Sequence, residues 1–144
     1  MRALGASSIV ALLLLGCARP SIVISQAPSD PTQERLAILG RAYREFNVAN
    51  RRPPRSMIEL SSLLKQHGID DTVLQSTRDG QPLLIRWSLD VLHGKPHQPP
   101  PVLAYEQRGA KGSRFVLTAM GNVQSLDEKD FQSATSSTNH GRAI

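Results

Sequence analysis

The apolar positions follow two patterns, and the change between them divides the chain. Leu36, Leu39, Tyr43 and Phe46 recur at spacings of three and four, which sets them on one face of an amphipathic helix. Asp30 precedes the run as a cap, Pro31 suits the first turn, and Gln33 is placed to close a capping box. Arg35, Arg41, Arg44 and Glu45 fall off the apolar face. The helix is predicted to end near Asn50, before Pro53-Pro54. Ser56 with Glu59 forms a second box pattern and opens a shorter helix. Leu60, Leu63 and Leu64 are its inward stripe, and His67-Gly68 suits its C-terminal cap.

Beyond residue 70 the period shortens to two. Residues 70–77 read as a connector with Val73 and Leu74 tucked inward. Residues 78–82 contain Asp79-Gly80 and read as a turn. The dense apolar run 83–89 predicts a central, well-buried strand. After a proline- and histidine-rich loop at 93–101, residues 102–107 alternate. Val102, Ala104 and Glu106 are expected on one side, Leu103 and Tyr105 on the other. Residues 108–113 form a hairpin loop, 114–119 a third strand and 123–126 a fourth. Residues 127–131 suit a terminal helical turn, with Asp127, Glu128 and Asp130 as its N-terminal charges. Residues 135–144 are rich in serine and threonine and are expected to be disordered. Helices first and strands after them imply an α+β domain. A long N-terminal helix and a short second helix should pack on a three- to four-stranded antiparallel meander.

The first seventeen residues follow neither pattern. Arg2 gives a positive start, residues 9–15 a short apolar run, and Gly16 a small residue directly before the single cysteine. The run is about half the ~20 residues of a spanning helix, and its layout matches an export signal. Leu14-Leu15-Gly16-Cys17 is similar to a bacterial lipobox. That resemblance implies lipid on Cys17 and a membrane-held protein of the cell envelope that faces the periplasm. With Cys17 acylated, the mature chain has no disulfide, so stability rests on a packed core. The expected organisation is a signal peptide at 1–16, a lipidated tether at 17–29, a domain at 30–134 and a tail at 135–144. Ile22-Val23-Ile24 in the tether suits either the membrane or the domain surface.

Charge narrows the partners. The formal net charge is +5, with the densest cations in Arg51-Arg52-Pro53-Pro54-Arg55. Arg51, Arg52 and Arg55 suit anionic headgroups or an acidic partner, or simply a solvated helix end. They lack interleaved aromatics, and with an export signal this argues against nucleic acid. Tyr43, Phe46, Trp87, Tyr105 and Phe115 read as core, with Trp87 alternatively an exposed contact point.

The order of motifs carries a second resemblance. Ala42-Tyr43 and Phe46 on a long helix lead to Arg52-Pro53-Pro54 and a helix start at Ser56. Asp79-Gly80-Gln81-Pro82, a strand and the closing Leu117-Thr118-Ala119-Met120-Gly121 follow. Over residues 32–131 this resembles the periplasmic domain of type II secretion pseudopilins, and closer still pseudopilin-like bacterial lipoproteins. The resemblance implies a structural role in a secretion-type envelope machine. Two departures matter. The long hydrophobic helix that packs a pseudopilin into a filament is replaced by lipobox and tether. The stretch 120–125 carries no carboxylate, so the family's calcium site does not carry over.

Catalytic and cofactor signals are weak. His93 and His97 lack an evident third metal ligand, unless His67 comes from another element. There is no Gly-x-Ser-x-Gly elbow and no phosphate loop. Glu106 in mid-strand is expected to pair with Arg114 or Arg86. The expectation is a non-enzymatic, lipid-anchored docking protein without cofactor or metal. Its membrane contact is the lipid on Cys17 and its partner an envelope or secretion-system protein. The alternative is a small-ligand or ion-binding lipoprotein using the 93–101 loop and the Arg78-Asp79 turn.

Overall fold

Four antiparallel strands in sequential order carry one helical layer on each face in the computed structural model, which describes residues 29–93 and 98–139. The elements are α1 (Pro31–Asn50), α2 (Met57–Gln66), a 3-10 turn (Asp71–Leu74), β1 (Leu84–Ile85), β2 (Val102–Tyr105), β3 (Ser113–Thr118), β4 (Val123–Asp127) and α3 (Glu128–Asn139). The fold is α+β, a helix pair followed by a meander. The expected leader, lipobox and tether through residue 28 lie outside the described residues.

α1 begins as its sequence predicts. Asp30 Oδ1 accepts from the Thr32 N–H at 2.8 Å, with Pro31 in the first turn. Arg51 ends the helix in the left-handed region, φ 53°. Leu36, Leu39 and Tyr43 are fully buried and meet Leu103, Ala104, Phe115 and Leu117 of the sheet. Each such side chain contributes about 1.5–3 kcal/mol by leaving water. Gly40 sets the closeness of approach, because a Cβ there would stand 3.2 Å from Leu117 Cδ1.

α2 closes the same core with Leu60 and Leu64. Its C-terminus is a Schellman motif, with Ile69 N–H donating to the Leu64 carbonyl at 2.9 Å and Gly68 N–H to Lys65 at 3.0 Å. Its N-terminus differs from expectation. The Ser56 side chain makes no capping bond. Glu59 instead accepts from the Arg55 N–H at 2.9 Å, because the Arg52 guanidinium holds its carboxylate on that side.

The sheet differs from the sequence reading in two places. The run 83–89 is not a central strand: β1 is two residues long, lies at the sheet edge and leaves Leu84 41% exposed. After Arg86 N–H donates to Leu103, the chain turns away at Ser88, φ 60°. The Tyr43 hydroxyl takes the place of a neighbouring strand. It donates to the Arg86 carbonyl at 3.1 Å and accepts from the Leu89 N–H at 3.0 Å. Second, the register shifts between Val102 and Ala104, so Leu103 and Ala104 share the space opposite Leu117. Such a bulge moves Val102 to the other face. There it joins Val116 and Phe131 in a second, smaller core under α3, with Tyr105, Leu126 and Ala134 at its margin.

α3 is longer than the predicted turn. It runs from Glu128 to Asn139, across the start of the stretch expected to be disordered. Phe131 anchors it, 5.1 Å ring to ring from Tyr105. The hydroxyls of Ser133 and Thr135 bond back to the Lys129 and Phe131 carbonyls, which keeps these residues compatible with a helix.

Candidate functional site

The expected contact residues sit at the corner where α1 gives way to α2. Arg52 and Glu59 form a two-pronged ion pair, at 3.0 and 2.9 Å. The Arg52 hydrogen bond, then the Arg55 N–H, hold the Glu59 carboxyl down at about 2. The Arg52 guanidinium lies 5.3 Å from the centre of the Phe46 ring. Arg52 is therefore engaged in holding the corner. Arg51 and Arg55 are exposed and make no ion pair among the described residues. Trp87 is half-buried against the main core. Its neighbour Ser88 donates its N–H to the Pro54 carbonyl at 2.9 Å, which ties the Trp87 segment to the arginine turn. The fold thus brings the two expected contact segments together, with Arg51 and Arg55 outward and Arg52 inward.

Beside this corner the 90–93 segment is fastened to α1. Asp90 accepts from the Leu92 N–H at 2.8 Å, from His93 at 2.8 Å and from buried Asn47 at 3.1 Å. These bonds, the Leu92 N–H foremost, lower its carboxyl to about 2. His67 meets Glu45 at 2.9 Å, a partner it does not share with His93. His97 lies outside the described residues. Among the described residues no three histidines, cysteines or carboxylates converge as metal ligands.

The most enclosed polar cluster lies at the other end of the sheet. Glu106 is fully buried and pairs with Arg78, not with Arg114 or Arg86. Its Oε2 accepts from Arg78 Nη1 at 2.9 Å and from the Phe115 N–H at 2.7 Å, and Oε1 accepts from the Ser76 hydroxyl at 2.6 Å. Arg78 also donates to the Ala110 carbonyl at 2.7 Å and lies 4.2 Å from the Phe115 ring centre. Beyond the bulge the alternation is regular, so Glu106 shares the α1 face with Ala104, as its spacing predicts. Arg114 pairs instead with Glu128 at 2.9 Å, donates to the Gln107 carbonyl, and stacks on Phe131.

Asp79 completes the cluster by receiving the N–H groups of Gln81, Arg108 and Gly109 at 2.9–3.0 Å. Burial pushes its carboxyl up, and the three N–H donors together outweigh that and hold it low. The Arg78-Asp79 turn, a candidate ligand contact, thus points its charged groups at internal partners. Glu106 in mid-strand was the one sequence signal of a buried charge. Nothing in the spacing selected Arg78, 28 residues away.

Two shallow depressions mark the surface. One, about 260 Å³, lies between α1 and the 3-10 turn, along Pro31, Ile38, Ile69 and Val73. The other, about 300 Å³, continues it past Lys65 and Asp71. Both are open to solvent, and no histidine lines either. No described helix is long and apolar enough to cross a membrane. No family model, curated protein or solved structure matches the chain.

Proposed function

We propose that this chain is a lipid-anchored, non-enzymatic protein of the cell envelope, facing the periplasm, whose domain serves as a structural or docking part. The observation that carries the reading is Leu14-Leu15-Gly16-Cys17 after a short apolar run with a charged start. An acylated Cys17 would hold the domain by a short leash. A leash raises the effective concentration of the domain for any membrane-bound partner without a new contact. The pseudopilin resemblance makes a type II secretion-like system the machine of choice.

The domain suits docking by how its polar groups are arranged. Its buried charges are paired internally, at Glu106 with Arg78, while Arg51 and Arg55 stand outward at the α1–α2 corner. Mass spectrometry of the membrane-extracted protein tests the anchor. The expected result is an acylated N-terminal Cys17 peptide, and a Cys17→Ser chain that leaves the membrane fraction. An unmodified thiol in the wild-type chain overturns the reading. Crosslinking in cells should then recover an envelope protein at positions 51 and 55.

A further inference from the structure

The two edges of the sheet end differently. β1 is two residues long, the chain turns away from it at Ser88, and the Tyr43 hydroxyl meets the backbone of Arg86 and Leu89. β4 forms the other edge and runs for five residues, Val123–Asp127. Its register with β3 is unbroken from Leu117↔Val123 to Ser113↔Asp127. Two hydrogen bonds fix which way its backbone faces. Thr118 donates its N–H to the Asn122 carbonyl at 2.9 Å, so Asn122 faces β3. The Phe115 carbonyl accepts from the Glu106 N–H at 3.1 Å, so the Phe115 backbone faces β2 and makes no ladder bond to Ser125, its register partner in β4. In an antiparallel pair bonded and unbonded residues alternate. Gln124 and Leu126 therefore face β3, while Val123, Ser125 and Asp127 turn their N–H groups outward. The carbonyls of Val123 and Ser125 point outward as well. Among the described residues no hydrogen bond reaches these outward groups.

An unpaired row of this kind is a template for another strand, and proteins blunt it with lysine, proline, a bulge or a covering segment. β4 has no lysine and no proline, and its consecutive register pairs leave no bulge. Its outward row is also its own complement. With Ser125 set across from Ser125 of a second copy, the two Ser125 N–H groups donate to each other's carbonyl. Each Asp127 N–H then donates to the Val123 carbonyl of the other copy. Asp127 is exposed, makes no ion pair among the described residues, and accepts from the Asp130 N–H at 2.8 Å. This register places it across from Val123 of the other copy and not from another acid. Beyond Val123 stands the β3–β4 turn, residues 119–122, which contains no acid. Its Ala119 carbonyl holds the Arg44 guanidinium at 3.2 Å. Glu128 is taken up by Arg114, and Lys129 and Asp130 belong to α3, on the other side of the sheet. The register thus opposes no like charges and sets an acid toward a turn that carries a cation. We propose that the outer edge of β4 pairs antiparallel with β4 of a second copy of this chain, about a two-fold axis at Ser125. The pair joins the two sheets into one and uses the same surface on both copies. It lies apart from the arginine corner and needs no lipid on Cys17. A contact of two short strands gives a reversible pair.

The test uses the full chain with Cys17→Ser, so that an introduced cysteine is the only one. Amide exchange reads the edge directly. In dilute protein the Ser125 and Asp127 amides should exchange freely, while Gln124 and Leu126 are protected by β3. Between micromolar and millimolar protein, Ser125 and Asp127 should gain protection, about fivefold once most chains are paired. Mild oxidation should link Ser125→Cys into a dimer about tenfold faster than Gln124→Cys. The Ser125 positions face each other at about 5.5 Å, within reach of a disulfide, whereas the Gln124 positions stand diagonally at about 7–8 Å. The apolar leader draws chains together equally in both variants, so the ratio is the readout. Ser125→Pro removes an N–H that β3 does not use. It should leave circular dichroism and melting unchanged and abolish the concentration-dependent protection of Asp127. Equal linking at the two positions, no protection at millimolar protein, or pairing that survives in a folded Ser125→Pro chain overturns the surface. Protection of Ser125 that does not depend on concentration also overturns it, because the edge is then covered within one chain. Ser125→Cys linked in cells only to a different protein overturns the second copy as the occupant.

Discussion

The two faces of the sheet are built differently. The α1 face is thick: Leu36, Leu39, Tyr43, Leu60 and Leu64 meet Leu103, Phe115 and Leu117, and a paired charge cluster closes one end. The α3 face is thin, with Val102, Val116 and Phe131 as the buried apolar residues of its cluster. On the first face a residue is held by neighbours distant in the chain. On the second, one aromatic holds a helix near the end of the described chain. The α1 face therefore carries most of the core, and α3 is expected to open locally before the rest of the domain.

Mutations can break or sharpen that contrast. The largest effect is expected for Glu106→Ala, about 3–5 kcal/mol in urea unfolding, because it strands the Arg78 guanidinium and the Phe115 N–H. A cost near zero would mean that the cluster is not a clamp. Leu39→Ala should cost about 3 kcal/mol, since its surroundings are fixed on all sides. Phe131→Ala should cost less, about 2 kcal/mol, with loss of amide protection confined to α3 and its neighbours. If Phe131→Ala unfolds the whole domain as readily as Leu39→Ala, the two faces are equivalent and the contrast fails.

Smaller effects probe the α1 face by pH. Tyr43→Phe should cost about 1 kcal/mol, because it removes one donated and one accepted hydrogen bond. Burial above all pushes the Tyr43 hydroxyl up to about 12 from 10.0. A raised acid favours the folded state below its unfolded value. That contribution is whole below pH 10, is lost as pH rises toward 12, and should vanish in Tyr43→Phe. The smallest change is expected in acid. Glu59 and Asp90, both held at about 2, contribute above the ordinary carboxylate range, and the contribution fades as pH falls toward 2. Glu59→Gln should flatten part of that decline in a pH series of melting temperatures. An unchanged slope would mean that the half-buried Arg52 pair contributes nothing measurable.

Much of the local architecture was legible because its signals are local. Asp30-Pro31 announced a helix start, His67-Gly68 a helix end, and the three-four spacing of Leu36, Leu39 and Tyr43 an inward face. The run 83–89 was misleading for a physical reason. Apolar density shows that a segment is buried but not what buries it, and here a tyrosine hydroxyl from α1 replaced a strand. The corner was half legible: three arginines marked it, but which of them faces inward depended on Glu59 and Phe46.

What the sequence determined by itself is therefore what neighbours along the chain decide: the limits of α1 and α2, turn positions, the order of those two helices before the strands, and a lipobox-like Leu14-Leu15-Gly16-Cys17. The tertiary structure alone decided which side chains share a face and which charges meet. One extra residue in β2 carried Val102 to the α3 side, and the packing of the 76–78 segment on the sheet brought Arg78 to Glu106. Side-chain period survives only while register does, and register is set by the partner strand, which no local pattern contains.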